Sequence, residues 1–279
     1  MKLHTIDTGF FKLDGGAMFG VVPKSIWSKT NPADENNLCT WAMRCLLIED
    51  GHRLILIDTG IGNKQDQKFF SHYYLHGMAS LKSSLAALGF SRDDITDVFL
   101  THLHFDHVGG AVIKENDQLV TAFKNAIYWS NEKHWDWAVN PNEREKASFL
   151  KENILPISES GQLKFLDTHE GVKFNENISV KFASGHTNSM MLPLIKYKGK
   201  IILYMADLLP SAGHIPLPYV MAYDMFPLQT LIEKKIILNE AVEKEYILFL
   251  EHDPVNECCT LQQTEKGVKL KETFKLSQL

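Results

Sequence analysis

Cysteine is scarce in this sequence and badly spaced for chemistry. Cys39, Cys45, Cys258 and Cys259 include no Cys-x-x-Cys pair, and vicinal Cys258-Cys259 is a poor start for a structural disulfide. Free thiols in a reducing compartment follow from that spacing, so a cytoplasmic protein is expected. Long apolar runs are missing too. No segment reaches the roughly 20 apolar residues that span a bilayer. The opening MKLHTIDTGFFKLDGG lacks the unbroken apolar core of a signal peptide and reads as a first strand. No membrane partner is expected. Nor is there an excess of positive charge, because 29 basic residues stand against 34 acidic ones for a net charge of −5. Displacing counterions from a phosphate backbone needs the opposite balance, so nucleic acid is not an expected partner.

Internal repeats, low-complexity stretches and linkers are also missing. The chain reads as a single domain over residues 1–279, long enough to bury a sizeable core. The one glycine-rich stretch, GGAMFG, is followed by VVPK rather than by the Gly-Lys-Ser/Thr of a phosphate loop, which excludes nucleotide binding there.

What the sequence does contain is an alternation of short β-type runs and helical stretches. WAMRCLLIED and RLILIDTG flank Asp50-Gly51-His52 and predict a hairpin. Leu81, Leu85 and Leu88 recur at helical spacing before Gly89, which predicts an amphipathic helix with a glycine stop. ITDVFLTH reads as a buried strand, and residues 126–150, dense in aromatics, as a strand with a helical insertion. A second run of strands is expected in GQLKFLD, ISVKFASGHT, MMLPLIKYKG and KIILYMADLLP. TLIEKKIILNEAVEKE should form a helix with Glu233, Lys234, Lys235 and Glu240 on its wet side, and YILFLEHDP a further buried strand. This pattern predicts an α/β (α+β) fold, two mixed sheets covered by helices.

One stretch is chemically unusual. LTHLHFDHVGG places His102, His104, Asp106 and His107 within six residues, separated only by apolar Leu103 and Phe105. In an extended segment residues two apart share a side, so His102, His104 and Asp106 can converge, and Gly109 and Gly110 permit a turn that frees His107. Burying such groups unpaired costs a few kcal/mol each, so packing is a poor explanation and metal binding a good one. Four residues cannot complete two metal shells. His186, Asp207 and His252 each end a β-type run before a loop, where sites on rigid scaffolds are built. Of the remaining histidines, His4, His52, His72, His76, His134 and His169 sit in loops or polar surroundings and carry no such pattern.

His102-x-His104-x-Asp106-His107, followed by His186, Asp207 and His252 and preceded by Asp58 in LIDTG, resembles the metallo-β-lactamase superfamily of dinuclear metallohydrolases. The resemblance implies an αββα sandwich. It implies that His102, His104 and His186 hold one metal, that Asp106, His107 and His252 hold a second, and that Asp207 bridges them. Asp58 would orient a ligand histidine through its other ring nitrogen. The nitrogen-rich donor set suits two zinc ions, with iron or manganese as alternatives. A hydroxide shared by the two ions would attack an ester-like bond, and Asp106 would be the catalytic residue that orients it and passes its proton to the leaving group.

Within the superfamily, Asp207 and the missing signal peptide speak against antibiotic hydrolysis. The chain resembles most the small-molecule lactonases and methyl parathion hydrolase-like enzymes, through LDGGAMFGVVPKSIW and PSAGHIPLPYVMAYDMFP. A small-molecule lactone is the expected substrate. A phosphodiesterase or nuclease, and a glyoxalase II-like thioesterase, are the alternatives on the same metals. For glyoxalase II the sequence beyond His252 leaves little room for the added helical region. Lactonases of this group carry a tyrosine three residues after the bridging aspartate, where this chain has Pro210, a departure that counts against acyl-homoserine lactone specificity. Phe19 and Trp27 from the first loop and Tyr219 from the second are expected to wall a substrate pocket, with His214 and Tyr219 as donors to a developing oxyanion. A homodimer is left open.

Overall fold

The computed structural model describes residues 1–279. By their contacts these residues form two compact units, Met1–Gly9 with Met43–His169 and Phe10–Ala42 with Glu170–Leu279. Strands β1 (Lys2–Asp14) and β2 (Leu38–Asp50) run along the chain from one unit into the other. The first unit holds β3 (Arg53–Ile57), β4 (Asp97–Phe99), β5 (Val112–Glu115), β6 (Gln118–Thr121), β7 (Ile127–Ser130) and β8 (Leu163–Phe165). The second holds β9 (Ile178–Ala183), β10 (Met190–Tyr197), β11 (Lys200–Tyr204), β12 (Ile247–Phe249), β13 (Cys258–Thr264) and β14 (Gly267–Phe274).

The sheet of the first unit has the order β1-β2-β3-β4-β7-β8. β2 and β3 form the expected hairpin, with Asp50 opposite Arg53 and Gly51 at φ +65 in the turn. β3, β4, β7 and β8 then pair in parallel. All three residues of β4 are buried, as a strand paired on both sides requires. The expected amphipathic helix spans Leu81–Ala87, opens on a Ser80 capping box and buries Leu81 and Leu85. Together with Ile154 and Ile157 from the helix Lys151–Glu159, they join a core containing Leu56, Val98, Leu100 and Tyr128. Each such aliphatic side chain contributes about 1.5–3 kcal/mol by leaving water.

GQLKFLD departs from expectation: as β8 it is the last strand of this first sheet. Helix Lys151–Glu159, which Pro156 hides from a periodicity search, supplies the crossover that lets β8 run parallel to β7.

The sheet of the second unit has the order β14-β13-β12-β11-β10-β9. β11 and β12 are parallel and the other pairs antiparallel. Both sheets are therefore mixed and accompanied by helices, the α/β class that the sequence predicts. Tyr204 and Phe249, partners in the β11/β12 register, stack with ring centroids 5.3 Å apart. Helix Pro227–Glu243 buries Thr230, Ile237, Leu238 and Ala241. It also buries Lys234, which is 0% exposed. The wet-side placement expected for Lys234 is thus corrected: its ammonium finds backbone carbonyls in the interior. No helix is long and apolar enough to cross a membrane, and all four cysteines are free and buried.

Candidate functional site

Strand direction decides where the polar residues gather in each unit. In the first, β3 and β4 are parallel, so Asp58 after β3 and Thr101 and His102 after β4 leave the sheet at the same edge. In the second, β9 and β11 are both antiparallel to β10, and β12 is parallel to β11. His186, Asp207 and His252, which follow β9, β11 and β12, therefore emerge at one edge of that sheet.

In the first unit the segment after β4 stays irregular until a short helix, Phe105–Val108, carries Asp106 and His107. The convergence expected from an extended run thus holds only for His102 and His104, whereas a helical turn aims Asp106 and His107. Gly109 does not supply a special backbone angle, since its φ is −58. Its role is close approach: a Cβ there would stand 2.1 Å from the Ile61 carbonyl oxygen, and one on Gly110 would stand 2.2 Å from that of Thr59. Backbone bonds between Thr59 N–H and the His107 carbonyl (2.8 Å) and between Gly110 N–H and the Gly60 carbonyl (2.9 Å) tie the two loops together.

Each histidine of this cluster is held from behind. Asp58, in the left-handed region at φ +57, accepts from the Thr101 amide (2.8 Å) and hydroxyl (2.6 Å) and from Nδ1–H of His107 (3.1 Å). Because the Thr101 hydroxyl donates to Asp58, its oxygen accepts from Nδ1–H of His102 at 3.1 Å. Nε2–H of His104 donates to Glu145 at 2.9 Å. The consequence is geometric. Nε2 of His102 and Nδ1 of His104, the two nitrogens left with lone pairs, face each other at 3.2 Å. Ligand-type atoms of Asp106 and His107 likewise come within 4.8 Å of one another.

The second unit repeats the arrangement. Nδ1–H of His186 donates to Asp224 at 2.9 Å, and Nδ1–H of His252 to the Ala42 carbonyl at 2.7 Å. Their Nε2 atoms meet different oxygens of one carboxylate, His186 on Oδ2 of Asp207 at 3.1 Å and His252 on Oδ1 at 2.9 Å. Burial opposes a charge on His186, but Asp207 and Asp224 on either side outweigh it and hold the ring's pKa up at about 10. All seven residues, together with Asp58, Glu145 and Asp224, are buried.

This donor set fits a divalent cation. Two nitrogens about 2.0–2.1 Å from one tetrahedral ion stand about 3.3 Å apart, close to the separation of His102 and His104. Imidazole with carboxylate suits Zn²⁺, Fe or Mn. A hydrogen bond on the far nitrogen is the usual means of fixing a ligand's tautomer.

The four residues expected around a substrate all lie in the second unit, and three of them are packed. Phe19, Trp27 and His214 are fully or almost fully buried. Phe19 stacks on Trp27 (5.3 Å, 5°) and on His214 (4.3 Å, 7°). Burial pushes the pKa of His214 down to about 3, only partly offset by the Met18 carbonyl. The neutral ring donates from Nε2 to that carbonyl (2.9 Å) and accepts at Nδ1 from the Ser211 hydroxyl (2.8 Å), so its single N–H is committed. Tyr219, partly exposed, meets Phe19 edge-on at 6.2 Å. Sequence reasoning missed Glu145, whose surroundings NEREK carry no signal, and Asp224, which lies in a stretch noted for its resemblance but was not itself singled out. It also missed Tyr73, whose ring lies 4.7 Å from that of Phe105. Burial, and then the charge of Asp106, raise its phenol pKa to about 12.

Comparison with known proteins agrees with this chemistry. The chain is 27% identical over 165 residues to the N-acyl homoserine lactonase AiiA of Bacillus thuringiensis subsp. kurstaki, a match spanning 56% of each protein. The chain thus spans about half the length of the curated relatives it matches. Among solved structures it resembles a probable metal-dependent hydrolase from Staphylococcus aureus, with 28% identity, a TM-score of 0.87 and 98% of both chains covered. It also shares the fold of AidC, a dizinc quorum-quenching lactonase, at 23% identity and a TM-score of 0.80 over 98% of this chain and 95% of that one. The metallo-beta-lactamase superfamily model matches residues 44–252, and the chain belongs to that superfamily.

Proposed function

We infer that the whole of residues 1–279 acts as one metal-dependent hydrolase of a small ester-like molecule, a lactone first of all, using two divalent ions, with zinc the best fit. His102, His104 and His186 would hold one ion, Asp106, His107 and His252 the other, and Asp207 would bridge. The observation that carries the reading is the opposed pair of ring nitrogens on His102 and His104 at 3.2 Å. With their outer N–H groups committed to Thr101 and Glu145, two lone pairs point at each other, an arrangement that a shared cation relieves. In the second unit, Asp207 offers one oxygen to each of two histidines, the pose of a bridging carboxylate.

Two such ions would supply Lewis-acid activation of water and of the substrate's acyl oxygen. The protein's own part is to hold and move protons. Asp58, Glu145, Asp224, Thr101 and the Ala42 carbonyl keep each imidazole in one tautomer. Asp106 would take a proton from water and return it to the leaving alcohol. Tyr219 would present its phenol to the acyl oxygen, supplying the donor that Pro210 cannot, while Phe19, Trp27 and His214 form the rigid aromatic floor behind it. The lactone preference is supported by the lactonases among the relatives. Four free thiols support a reducing, cytoplasmic setting.

Elemental analysis of the purified protein, run with a panel of γ-lactones, thioesters, phosphodiesters and a phosphotriester, tests the reading. About two zinc ions per chain with lactone turnover supports it. Turnover confined to phosphodiesters or thioesters would replace the substrate class, and two ions with no hydrolysis of any member would overturn the hydrolase assignment.

A further inference from the structure

Helix Pro227–Glu243 carries a lysine where a hydrophobic residue would be ordinary. Lys234 lies on the buried face with Thr230, Ile237, Leu238 and Ala241 and is 0% exposed. A lysine is almost never fully buried unless its ammonium is paired. Here its Nζ donates to the carbonyls of Pro216 and Tyr219, both at 2.9 Å, with the Leu217 carbonyl farther away at 3.4 Å. These carbonyls belong to one tight turn. Tyr219 N–H closes it onto the Pro216 carbonyl at 2.9 Å, and Val220 N–H bonds the Pro218 carbonyl at 3.1 Å. Pro216 and Pro218 have no amide hydrogen, so the turn has few donors of its own to satisfy inward-facing oxygens. The turn carries Tyr219, whose ring rests edge-on against Phe19.

We propose that Lys234 is a positioning residue that pins the Pro216–Tyr219 turn from inside and so fixes where the Tyr219 phenol is presented to substrate. Methionine has nearly the same length and would fill the same space, but it offers no N–H. The lysine is therefore explained by the carbonyls it serves rather than by packing. The functional half of this inference rests on the hydrolase reading above; the pinning of the turn does not.

The test compares the metal-loaded wild-type protein with Lys234→Met, Tyr219→Phe and the double variant. Amide hydrogen exchange at Tyr219 and Val220 should accelerate at least about tenfold in Lys234→Met, with the middle of the helix and the metal content unchanged. Unaltered protection of these two amides overturns the proposal whether or not any panel substrate turns over. On the lactone that is hydrolysed, Lys234→Met should lower kcat/KM about tenfold when Tyr219 is present and less than about twofold in the Tyr219→Phe background. A merely structural lysine would lower both backgrounds alike, and that result also overturns it. If Tyr219→Phe alone leaves turnover intact while the amides of Lys234→Met exchange faster, the turn is pinned by Lys234 but Tyr219 is not the substrate's donor. That outcome sinks the phenol's role and leaves the rest of the hydrolase reading standing.

Discussion

Nδ1 of His186 lies 2.9 Å from a carboxylate oxygen of Asp224, a residue 38 positions further along the chain. The other nitrogen of the same ring lies 3.1 Å from Asp207. Before any cation binds, both ring nitrogens are protonated, because the two carboxylates raise the pKa to about 10 against the pull of burial. When metal arrives, the proton on Nδ1 of His186 stays on its bond to Asp224, and the one on Nε2 facing Asp207 must leave. Replacing Asp224 by asparagine removes the charge that makes Nε2 basic and frees the tautomer. Metal affinity should fall about 10–100-fold in Asp224→Asn, measured by competition with a chromophoric chelator at fixed pH. Wild-type affinity would mean that the carboxylate merely fills space.

Asp207 is a stronger test of the second-unit cluster, since its two oxygens serve two histidines. An amide has one acceptor oxygen and no charge. Asp207→Asn should drop the metal content from about two ions per chain toward one and lower turnover by at least about a hundredfold. Full metal content with unchanged turnover would remove the bridge from the mechanism.

The residues that end strands were legible because burial leaves a clear mark. β4 and β12 are buried at every position and, Asp97 apart, apolar, so the polar residues that come after each stand out. The hairpin at Gly51 and the helix from Leu81 were legible for similar reasons of period and punctuation. What the sequence concealed is tertiary. Glu145 and Asp224 approach their histidines from loops 41 and 38 residues away, and nothing local distinguishes them from solvated acids. His134, passed over as a histidine in a loop or polar surroundings, is buried and accepts the Leu103 amide at 2.9 Å, which fixes the backbone between His102 and His104. Charge misled at Lys234, because a helical face rich in Glu and Lys reads as wet, and only the carbonyls of a distant turn explain one lysine facing in.

Gly110 illustrates a constraint that backbone angles do not reveal. A methyl group there would stand 2.2 Å from the Thr59 carbonyl oxygen, in a loop whose position is fixed by the bond from Thr59 N–H to the His107 carbonyl. Neither backbone can yield without moving Asp58 or His107. Gly110→Ala should destabilise the protein by about 1–3 kcal/mol and weaken metal binding with it. Thermal unfolding with and without chelator separates the two effects. Loss of stability with metal affinity intact would place the strain outside the ligand cluster.

Lys234 also predicts a pH dependence. Burial lowers its pKa to about 7, with Asp224 opposing the shift, against 10.5 for an ordinary lysine. Between these values the unfolded chain binds a proton that the folded chain has released, so stability rises with pH across the window. Below about pH 7 both states carry the proton and the folded state bears the full cost of a buried charge. Above pH 10.5 both are neutral and the dependence ends. The neutral amine keeps two N–H groups, enough for the two carbonyls at 2.9 Å, so the turn stays pinned while the charge cost disappears. Unfolding free energy of wild type minus that of Lys234→Met, measured by denaturant titration from pH 6 to 10.5, should therefore climb from about pH 7 upward. A flat difference would mean that the carbonyls alone hold the ammonium charged throughout the range.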